Sequence, residues 1–413
     1  GGEAQRCKIA KYMNSSLTDL LYILDEPSVG LHSHDIDRLL RAVEKLRDAG
    51  NTVLMVEHHK EMIRAADHIV DIGPGAGASG GNILFQGSYA ELVKSNTRTG
   101  EMLRRKSGLK TCVRIPKTWY ELQNVTYHNL KDISVKIPLG VMTVIAGVAG
   151  SGKSSLMEHF AETCPEKPIY ISQKNIGISL RSTPATYLGA ADEIRKIFAG
   201  KCGVSAGLFS FNGKGKCPVC KGKGVVVSDM AFMDSIETVC EACGGLRYSK
   251  EVLEYEVDGY NIAQVMDFTV SKAEEWFAGT EVAKMLHPLT RVGLSYLHLN
   301  QSLSTLSGGE LQRLKLASYL NSSGKIFILD EPTDGLHMED ICNILELFDE
   351  MVDAGNSLFL IEHNLEVIKG CDYLIELGPG GGNEGGNLLF AGTPEELVTS
   401  EKSVTAPYLK EDL

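Results

Sequence analysis

The sequence lacks any apolar run of about 18 residues or more, so it contains no candidate for a membrane-spanning helix. It also lacks a charged-then-apolar start of the kind that marks a signal peptide. The net charge of −12 excludes a surface that is basic throughout, although it allows a local basic patch. The sequence therefore predicts no membrane partner.

A disulfide framework is missing as well. Four of the ten cysteines form two tight pairs, whereas the other six are scattered along the chain. Such usage favours a reducing compartment and one metal site over a set of disulfides. We therefore predict a cytoplasmic protein. With 413 residues, the chain has room for about two to three domains.

What the sequence does contain is a long internal repeat. LYILDEPSVGLH (21–32) returns as IFILDEPTDGLH (326–337), and VEHH (56–59) returns as IEHN (361–364). The offset is 305 positions in both cases (326 − 21 and 361 − 56). A period this long predicts a duplicated domain and not a solenoid.

The pattern of apolar runs predicts the architecture. Runs at 325–330 and 357–362 alternate with helical segments, which indicates a parallel sheet with helices on its faces. Short strand-like runs at 119–138 precede them. We divide the chain into the end of the first copy (1–93), a linker (94–118) with six basic residues between 104 and 117, and the second copy (119–413).

A phosphate-binding loop stands near the start of the second copy. GVAGSGKSS (147–155) fits G-x-x-x-x-G-K-[ST], and it follows an apolar strand and opens a helix, as the pattern requires. The alternative, a glycine-rich turn with a surface lysine, does not explain this context. We expect Lys153 to reach the β- and γ-phosphates of ATP and Ser154 to bind Mg²⁺. The residues predicted to hold the nucleotide are Gly147, Gly150, Ser151, Gly152, Lys153, Ser154 and Ser155.

Polar residues at three strand ends are the candidate catalytic groups. Asp330 is expected to bind Mg²⁺, and Glu331 to orient and deprotonate the attacking water. His363 is expected to donate to the γ-phosphate, although a lone histidine is more often structural. The same three residue types recur as Asp25, Glu26 and His58. Gln173, at the end of PIYISQ, remains open between a sensor of Mg²⁺ and γ-phosphate and an ordinary strand-end residue.

TLSGGELQRLKLA (305–317) places Ser307, Gly308 and Gly309 just before a helix, whose free N–H groups can bind an anion. The order of these motifs resembles that of the ABC ATPases: a P-loop, Gln, L-S-G-G-E, Asp-Glu and His. The resemblance implies an α/β P-loop NTPase of ABC type with a parallel-sheet core, an antiparallel β subdomain and a helical signature subdomain at about 190–322. In that family two cassettes pair head to tail around ATP.

The opening GGEAQRCKIA (1–10) is similar to GGELQRLKLA (308–317). The resemblance implies that Gly1 and Gly2 are the rest of the first cassette's signature and face the site of Lys153. Asp25, Glu26 and His58 would then be remnants of a second site, opposite Ser307, for which the chain has no P-loop. We therefore expect the chain to be the C-terminal part of a longer two-cassette protein.

The two cysteine pairs lie within the signature region. Cys217, Cys220, Cys240 and Cys243 form C-x₂-C-x₁₉-C-x₂-C, which predicts tetrahedral Zn²⁺ in an inserted module at about 208–250. A redox-active pair is the alternative. Residues 201–224 also hold five lysines and no acid. This patch either contacts nucleic-acid phosphates or simply solvates a glycine-rich knuckle. The five lysines are Lys201, Lys214, Lys216, Lys221 and Lys223.

The combination resembles the UvrA family, the damage-sensing subunit of the bacterial excinuclease, over essentially the whole chain. The carrying segments are HNLKDISVKIPLG (128–140), RSTPATY (181–187), FSFN (209–212), both cysteine pairs, STLSGGE (304–310), ILDEPTDGLH (328–337) and IEHNLEVIK (361–369). The chain departs from the family between Lys153 and Gln173, where it is shorter and reads SQKNIG (172–177).

This resemblance implies an ATPase that binds double-stranded DNA and recognises distorted duplexes in excision repair, without being the nuclease itself. It implies ATP, Mg²⁺ and Zn²⁺ as cofactors and a homodimer. The helicase subunit UvrB is a further partner, although its family docking region is absent from this chain. Two alternatives remain open at this point. One is a UvrA-like resistance ATPase that releases intercalating antibiotics from DNA, and the other is a nucleotide-gated scaffold with negligible turnover.

Overall fold

The computed structural model describes residues 18–28, 30–74, 80–172, 182–230 and 233–413. The chain divides into two compact units. The first comprises residues up to Ser172 together with Asn321–Leu413, and the second is Gln173–Leu320. The first unit therefore contains the end of the first copy of the repeat as well as the core of the second.

Strands and helices alternate through the first part of the first copy, up to Gly73. Its elements are β1 (Leu21–Asp25), α1 (Ser33–Asp48), β2 (Thr52–Val56), α2 (Lys60–Ala65), β3 (Ile69–Gly73), β4 (Asn82–Gly87), α3 (Tyr89–Leu92) and α4 (Arg98–Arg104). The second copy then begins with β5 (Thr118–Val125), β6 (Ile133–Leu139), β7 (Met142–Ala146), α5 (Lys153–Thr163) and β8 (Ile169–Ile171).

The second unit is mainly helical, with the cysteine module inside it. Its elements are α6 (Pro184–Tyr187), α7 (Ala190–Cys202), β9 (Val225–Met230), β10 (Met233–Val239), β11 (Glu256–Val257), β12 (Tyr260–Asn261), α8 (Ile262–Met266), α9 (Val270–Trp276), α10 (Glu281–Arg291) and α11 (Gly308–Ala317).

The chain then returns to the first unit and completes the second copy. These elements are β13 (Ile326–Asp330), α12 (Met338–Asp353), β14 (Ser357–Ile361), α13 (Leu365–Gly370), β15 (Tyr373–Gly378), β16 (Asn387–Gly392), α14 (Pro394–Val398) and α15 (Ala406–Asp412).

A six-stranded sheet in the order β16-β15-β7-β14-β13-β8 forms the core of the second copy. Every neighbouring pair is parallel except β15 and β16. The predicted parallel sheet is thus confirmed, and β5 and β6 form the predicted antiparallel pair. Because β7, β14 and β13 run in the same direction, the residues after their carboxyl ends lie along one edge of the sheet.

The two copies of the repeat are alike in structure as well as in sequence. β1 and β2 pair in parallel, as β13 and β14 do. β3 and β4 pair antiparallel with a register shift between Asp71 and Ile72. The pair β15 and β16 has the same shift between Glu376 and Leu377, 305 positions later. The described parts of the two copies therefore share their strand pairing, including a bulge in one strand.

The two copies differ in what covers their sheets. Leu21 and Ile23 of β1 are 60% and 67% exposed, whereas their counterparts Ile326 and Ile328 are at most 6% exposed. In the second copy this face packs against β5, β6 and α5, with Phe160 at its centre. Among the described residues of the first copy, no element takes that place. Within the described residues, the face of β1 that carries Leu21 and Ile23 is therefore uncovered.

The segment interpreted as a linker is bound tightly to the second copy. Lys110 and Arg114 converge on Asp372, whose side chain is fully buried at the start of β15. The Lys110 Nζ lies 2.9 Å and the Arg114 guanidinium 3.1 Å from its carboxylate. The N–H of Met142, at the start of β7, donates to the same carboxylate at 2.9 Å. Asp372 therefore joins the linker to the central strand of the sheet.

We expect Asp372→Ala to cost about 3–5 kcal/mol of unfolding free energy, because it leaves two cations without their buried partner. Asp353→Ala is the matched control. Asp353 also binds Arg114, at 2.8 Å, but its side chain is 67% exposed. Its removal should cost about 0–1 kcal/mol. Urea denaturation of the two variants measures the difference, and equal shifts would show that burial does not set the strength of this network.

Candidate nucleotide site and cysteine cluster

The predicted P-loop lies between β7 and α5. Gly147 and Gly152 have φ values of 134° and 104°, which favour glycine. A Cβ at Gly147 would collide with the carbonyl oxygen of Leu377, and a Cβ at Gly152 would lie 2.7 Å from Leu130 Cδ2. The loop can therefore follow this path only with glycine at both positions.

Several groups of the loop fit a bound anion. α5 begins at Lys153 without a side-chain cap, so its first N–H groups keep their hydrogen-bonding capacity. The Ser151 hydroxyl is buried and has no hydrogen-bond partner among the described residues. The Lys153 ammonium donates to the carbonyls of Gly147 at 2.8 Å and Val148 at 3.1 Å. These donors form a cradle that suits the phosphates of a nucleotide.

Asp330 and Glu331 follow β13 at the same edge of the sheet. Glu331 has a φ of 50°, and its counterpart Glu26 has a φ of 44°. Such a backbone costs about 1–3 kcal/mol in a non-glycine residue and is concentrated at functional sites. The N–H of Glu331 donates to the carbonyl of Ile361 at 2.9 Å, which ties the turn to β14.

Burial, together with the nearby carboxylates of Asp334 and Glu362, raises the pKa of Glu331 to about 7. Burial also lowers the pKa of Lys153, while the carboxylates of Glu331 and Asp330 oppose that shift. The lysine and the two acids therefore interact electrostatically at one end of the sheet. A carboxylate with a pKa near neutrality suits a general base.

His363 follows β14, which lies between β7 and β13. Its Nδ1 is 4.0 Å from Glu331 Oε1. Burial and the Lys153 cation hold the pKa of His363 well below its usual range, so the imidazole is neutral. A neutral imidazole carries one N–H, which it can donate to a phosphate oxygen.

Glu362, which is not among the predicted site residues, holds this histidine loop. The Glu362 side chain is 1% exposed and accepts from the Thr333 N–H at 3.0 Å and the Thr333 hydroxyl at 2.5 Å. It also accepts from the N–H of His363 at 3.1 Å. Glu57 does the same for Ser28 and His58 in the first copy. The signal was present, because this glutamate recurs at the repeat spacing.

The first-copy residues Glu26 and His58 also meet. His58 Nε2 lies 3.0 Å from Glu26 Oε1, with both side chains about one-third exposed. Asp25 ends β1 as Asp330 ends β13. The repeat therefore places equivalent acids and histidines at equivalent strand ends, and the P-loop sequence in this chain belongs to the second copy.

The donors at the second-copy site are those that Mg²⁺ prefers. Ser154 in the first turn of α5 offers a hydroxyl, and Asp330 offers a carboxylate at the end of β13. Mg²⁺ in phosphate sites takes one or two such oxygens and completes its shell with water and phosphate. These two residues therefore fit the predicted ion.

The signature residues form a capped helix start. Ser307 is the N-cap of α11, and its hydroxyl accepts from the Glu310 N–H at 3.2 Å. The Glu310 carboxylate accepts from the Ser307 N–H at 2.7 Å and from the hydroxyl of Tyr296. This capping box fixes Gly308 and Gly309 in the first turn, where they can present N–H groups to an anion.

The four paired cysteines converge as the spacing predicts. Their sulfurs all lie within 4.8 Å of one another, and all four residues are buried. The Cys217–Cys240 and Cys220–Cys243 separations are 4.0 and 3.7 Å. Tetrahedral Zn²⁺ with bonds of about 2.3 Å requires sulfur separations of roughly 3.8 Å, whereas a disulfide requires about 2.05 Å. The cluster is therefore compatible with zinc and does not contain a disulfide.

The five lysines of residues 201–224 are exposed, but they differ in their ion pairs. Lys201 pairs with Asp258 at 2.6 Å. Lys214, Lys216 and Lys223 make no ion pair with a residue that the structure describes. The local positive charge therefore rests mainly on the knuckle that contains Cys217 and Cys220.

Three predicted residues lie outside the described parts of the chain. They are Gly1, Gly2 and Gln173. Ser307, Gly308 and Gly309 lie at the start of α11. The remaining predicted nucleotide residues of the second copy follow β7, β13 and β14.

Known proteins are similar to this chain along all or most of its length. A profile of the ABC transporter family matches residues 222–334. UvrABC system protein A of Staphylococcus aureus (strain COL) is 43% identical, with all of this chain and 48% of the relative aligned. The same protein of Thermus thermophilus is 44% identical over 96% of this chain and 46% of the relative. The chain thus spans about half the length of the curated relatives it matches.

A solved structure, that of UvrA2 from Deinococcus radiodurans, superposes with a TM-score of 0.92. It is 41% identical, with all of this chain and 54% of the solved chain covered. Within the described residues, we find no helix with the length and apolar character needed to span a bilayer.

Proposed function

Because the chain is homologous to UvrABC system protein A, we propose that it is an ABC ATPase that binds double-stranded DNA and recognises damage in nucleotide excision repair. The observation that supports this proposal most is that Lys153, Glu331 and His363 lie close together at one edge of the sheet. The chain that carries them is 43% identical to UvrABC system protein A. No observation favours release of intercalating antibiotics, so we do not propose it.

The proposed reaction is hydrolysis of ATP at the second-copy site. Lys153 and the α5 N–H groups bind the phosphates, and Glu331 orients and deprotonates the attacking water. His363 donates to the γ-phosphate. Ser154 and Asp330 would hold Mg²⁺, which would supply positive charge next to the phosphates. Gly1, Gly2 and Gln173 are proposed to complete the site. Ser307, Gly308 and Gly309 are proposed to bind a nucleotide, and so are Asp25, Glu26 and His58.

The proposed partners follow from the relatives. We propose a homodimer that acts in the cytoplasm with UvrB as a partner, as the name of the UvrABC system suggests. Zn²⁺ bound by the four cysteines would fix the knuckle that carries Lys214, Lys216 and Lys223. Recognition would then rest on backbone contacts and on the ease with which a damaged duplex deforms.

Fluorescence anisotropy with zinc-loaded protein and ATP tests the DNA assignment at fixed salt. We expect about tenfold tighter binding to a duplex with one bulky adduct than to the same duplex without it, because a difference of about 1.4 kcal/mol in deformation energy suffices. Equal affinity would contradict damage recognition, and failure to bind either duplex would contradict DNA binding altogether.

Lysine variants in the same assay locate the DNA-binding surface. Replacing Lys214, Lys216 and Lys223 with alanine should weaken binding to both duplexes. The logarithm of the binding constant should also fall less steeply with the logarithm of the salt concentration, by about 0.9 for each phosphate that the protein no longer neutralises. Lys201→Ala is the control, since Lys201 already pairs with Asp258. If the control weakens binding as much as the triple variant, the knuckle does not bind the DNA.

A further inference from the structure

A buried chain of hydrogen bonds joins the two copies of the repeat within the first unit. His32, which is 1% exposed, belongs to the first copy and lies just before α1. Its Nε2 lies 3.0 Å from the hydroxyl of Thr405, which precedes α15 in the second copy. The Thr405 hydroxyl donates to Glu376 Oε1 at 2.6 Å. We call His32, Thr405 and Glu376 the relay.

The contacts of the relay fix its protons. The N–H of His34 donates to His32 Nδ1 at 3.2 Å, so Nδ1 carries no proton. Nε2 must therefore hold the proton of the neutral ring and donate it to Thr405. Burial and the Lys153 cation lower the pKa of His32 to about 3, which keeps the ring neutral. The direction of both hydrogen bonds is thus set from His32 toward Glu376.

Glu376 anchors the relay in the sheet that holds the P-loop. It is fully buried on β15, where it pairs with Ala146 of β7. Ala146 directly precedes the P-loop glycine Gly147. Besides the Thr405 hydroxyl, Glu376 accepts from the N–H groups of Thr405 at 2.8 Å and Val404 at 3.1 Å. The carboxylate is therefore a fixed end point and not a mobile surface acid.

The other end of the relay holds a first-copy segment over the catalytic carboxylate of the second copy. Gly30 stands two residues before His32, with a φ of 70°. A Cβ at Gly30 would lie 3.3 Å from Glu331 Oε2. The arrangement is reciprocal, since a Cβ at Gly335 would lie 3.6 Å from Glu26 Oε2. Leu31, between Gly30 and His32, is buried in the core of the first copy.

We propose that His32 is a positioning residue for ATP hydrolysis at the Glu331 site, acting through Thr405 to hold Gly30 against the Glu331 carboxylate. This inference rests on the proposed function of that site. His32 does not touch the reacting atoms. It ties the segment that borders Glu331 to the same sheet that carries the P-loop, so the general base and the phosphate cradle keep one geometry.

Thr405 allows a test that preserves side-chain shape. Thr405→Val replaces the hydroxyl with a methyl group, and Thr405→Ser keeps the hydroxyl. We expect Thr405→Val to lower kcat about tenfold with KM for ATP changed less than about twofold, because misplacing a catalytic group costs turnover more than binding. Thr405→Ser should restore kcat to within about twofold of the wild type.

The first copy supplies the matched control. Thr99 donates its hydroxyl to Asp71 at 2.9 Å, and Asp71 is the repeat counterpart of Glu376. Thr99→Val should therefore leave kcat within about twofold of the wild type. The proposal is overturned if Thr405→Val has normal kcat, if Thr405→Ser is as slow as Thr405→Val, or if Thr99→Val slows turnover equally.

If Thr405→Val does not fold, Gly30→Ala is the second variant. This substitution disturbs the contact between Gly30 and Glu331 and leaves the buried relay intact. A lowered kcat with unchanged KM supports the proposal, and an unchanged kcat overturns it. Glu331→Gln is measured in parallel to separate the two levels of inference. Turnover that survives Glu331→Gln contradicts the ATPase site itself. An inactive Glu331→Gln beside a normal Thr405→Val contradicts only the relay.

Discussion

Glu331→Gln is expected to lower ATP turnover by about 10²–10⁴-fold while the protein still binds ATP, because glutamine keeps the shape of the side chain but cannot accept a proton. Glu331 is the acid whose surroundings fit this task. It follows β13 beside Asp330, burial raises its pKa to about 7, and the imidazole of His363 lies 4.0 Å away. The P-loop lysine interacts with the same carboxylate.

The measurement compares steady-state phosphate release with binding of a fluorescent ATP analogue. Glu162→Gln is the control, because it makes the same substitution at an exposed glutamate on helix α5, which follows the P-loop. We expect Glu162→Gln to release phosphate at the wild-type rate. If Glu331→Gln does so too, the general base lies elsewhere. If it abolishes ATP binding instead, Glu331 acts in binding and not in the chemical step.

Much of this site could be predicted because its chemistry depends on local sequence. The P-loop needs glycine at Gly147 and Gly152 for steric reasons, and parallel strands bring residues that follow them to one edge. The repeat supports each assignment, since Glu331 and His363 have counterparts 305 positions earlier. The four cysteines could be found for the same reason, as a metal ion needs a set number of ligands at short spacing.

The remaining features depend on contacts between distant segments, which no local pattern encodes. Lys110 and Arg114 resemble solvated linker charges in sequence, yet they meet a buried Asp372 more than 250 positions away. His32 is the end of a repeated phrase in sequence, yet it is held by Thr405.

The second large effect is expected at the cysteine cluster. We predict one Zn²⁺ per chain and its complete absence in Cys240→Ser, because a hydroxyl does not replace a thiolate in a closed structural site. Cys240 is fully buried, and its sulfur lies 4.0 Å from that of Cys217 in the opposite knuckle. Binding of zinc to such sites contributes about 10–16 kcal/mol to folding of the unit that contains them.

Metal analysis by mass spectrometry, together with limited proteolysis of the module at 208–250, measures this effect. Cys202→Ser is the matched control, because Cys202 is also in the second unit but is not part of the cluster. We expect wild-type protein and Cys202→Ser to resist cleavage until a chelator is added, and Cys240→Ser to be cleaved without it. A metal-free wild type whose four cysteines form disulfides would favour the redox alternative instead.

The two predictions are independent, because the groups they concern lie in different units. The cysteine module belongs to the second unit, whereas Lys153, Glu331 and His363 all belong to the first. If zinc is only structural, Cys240→Ser should weaken DNA binding by releasing the lysine-bearing knuckle and leave ATP turnover without DNA near its wild-type rate. If Cys240→Ser instead lowers ATP turnover in the absence of DNA, the module supports the nucleotide site. The proposal that the two sites act independently would then be wrong.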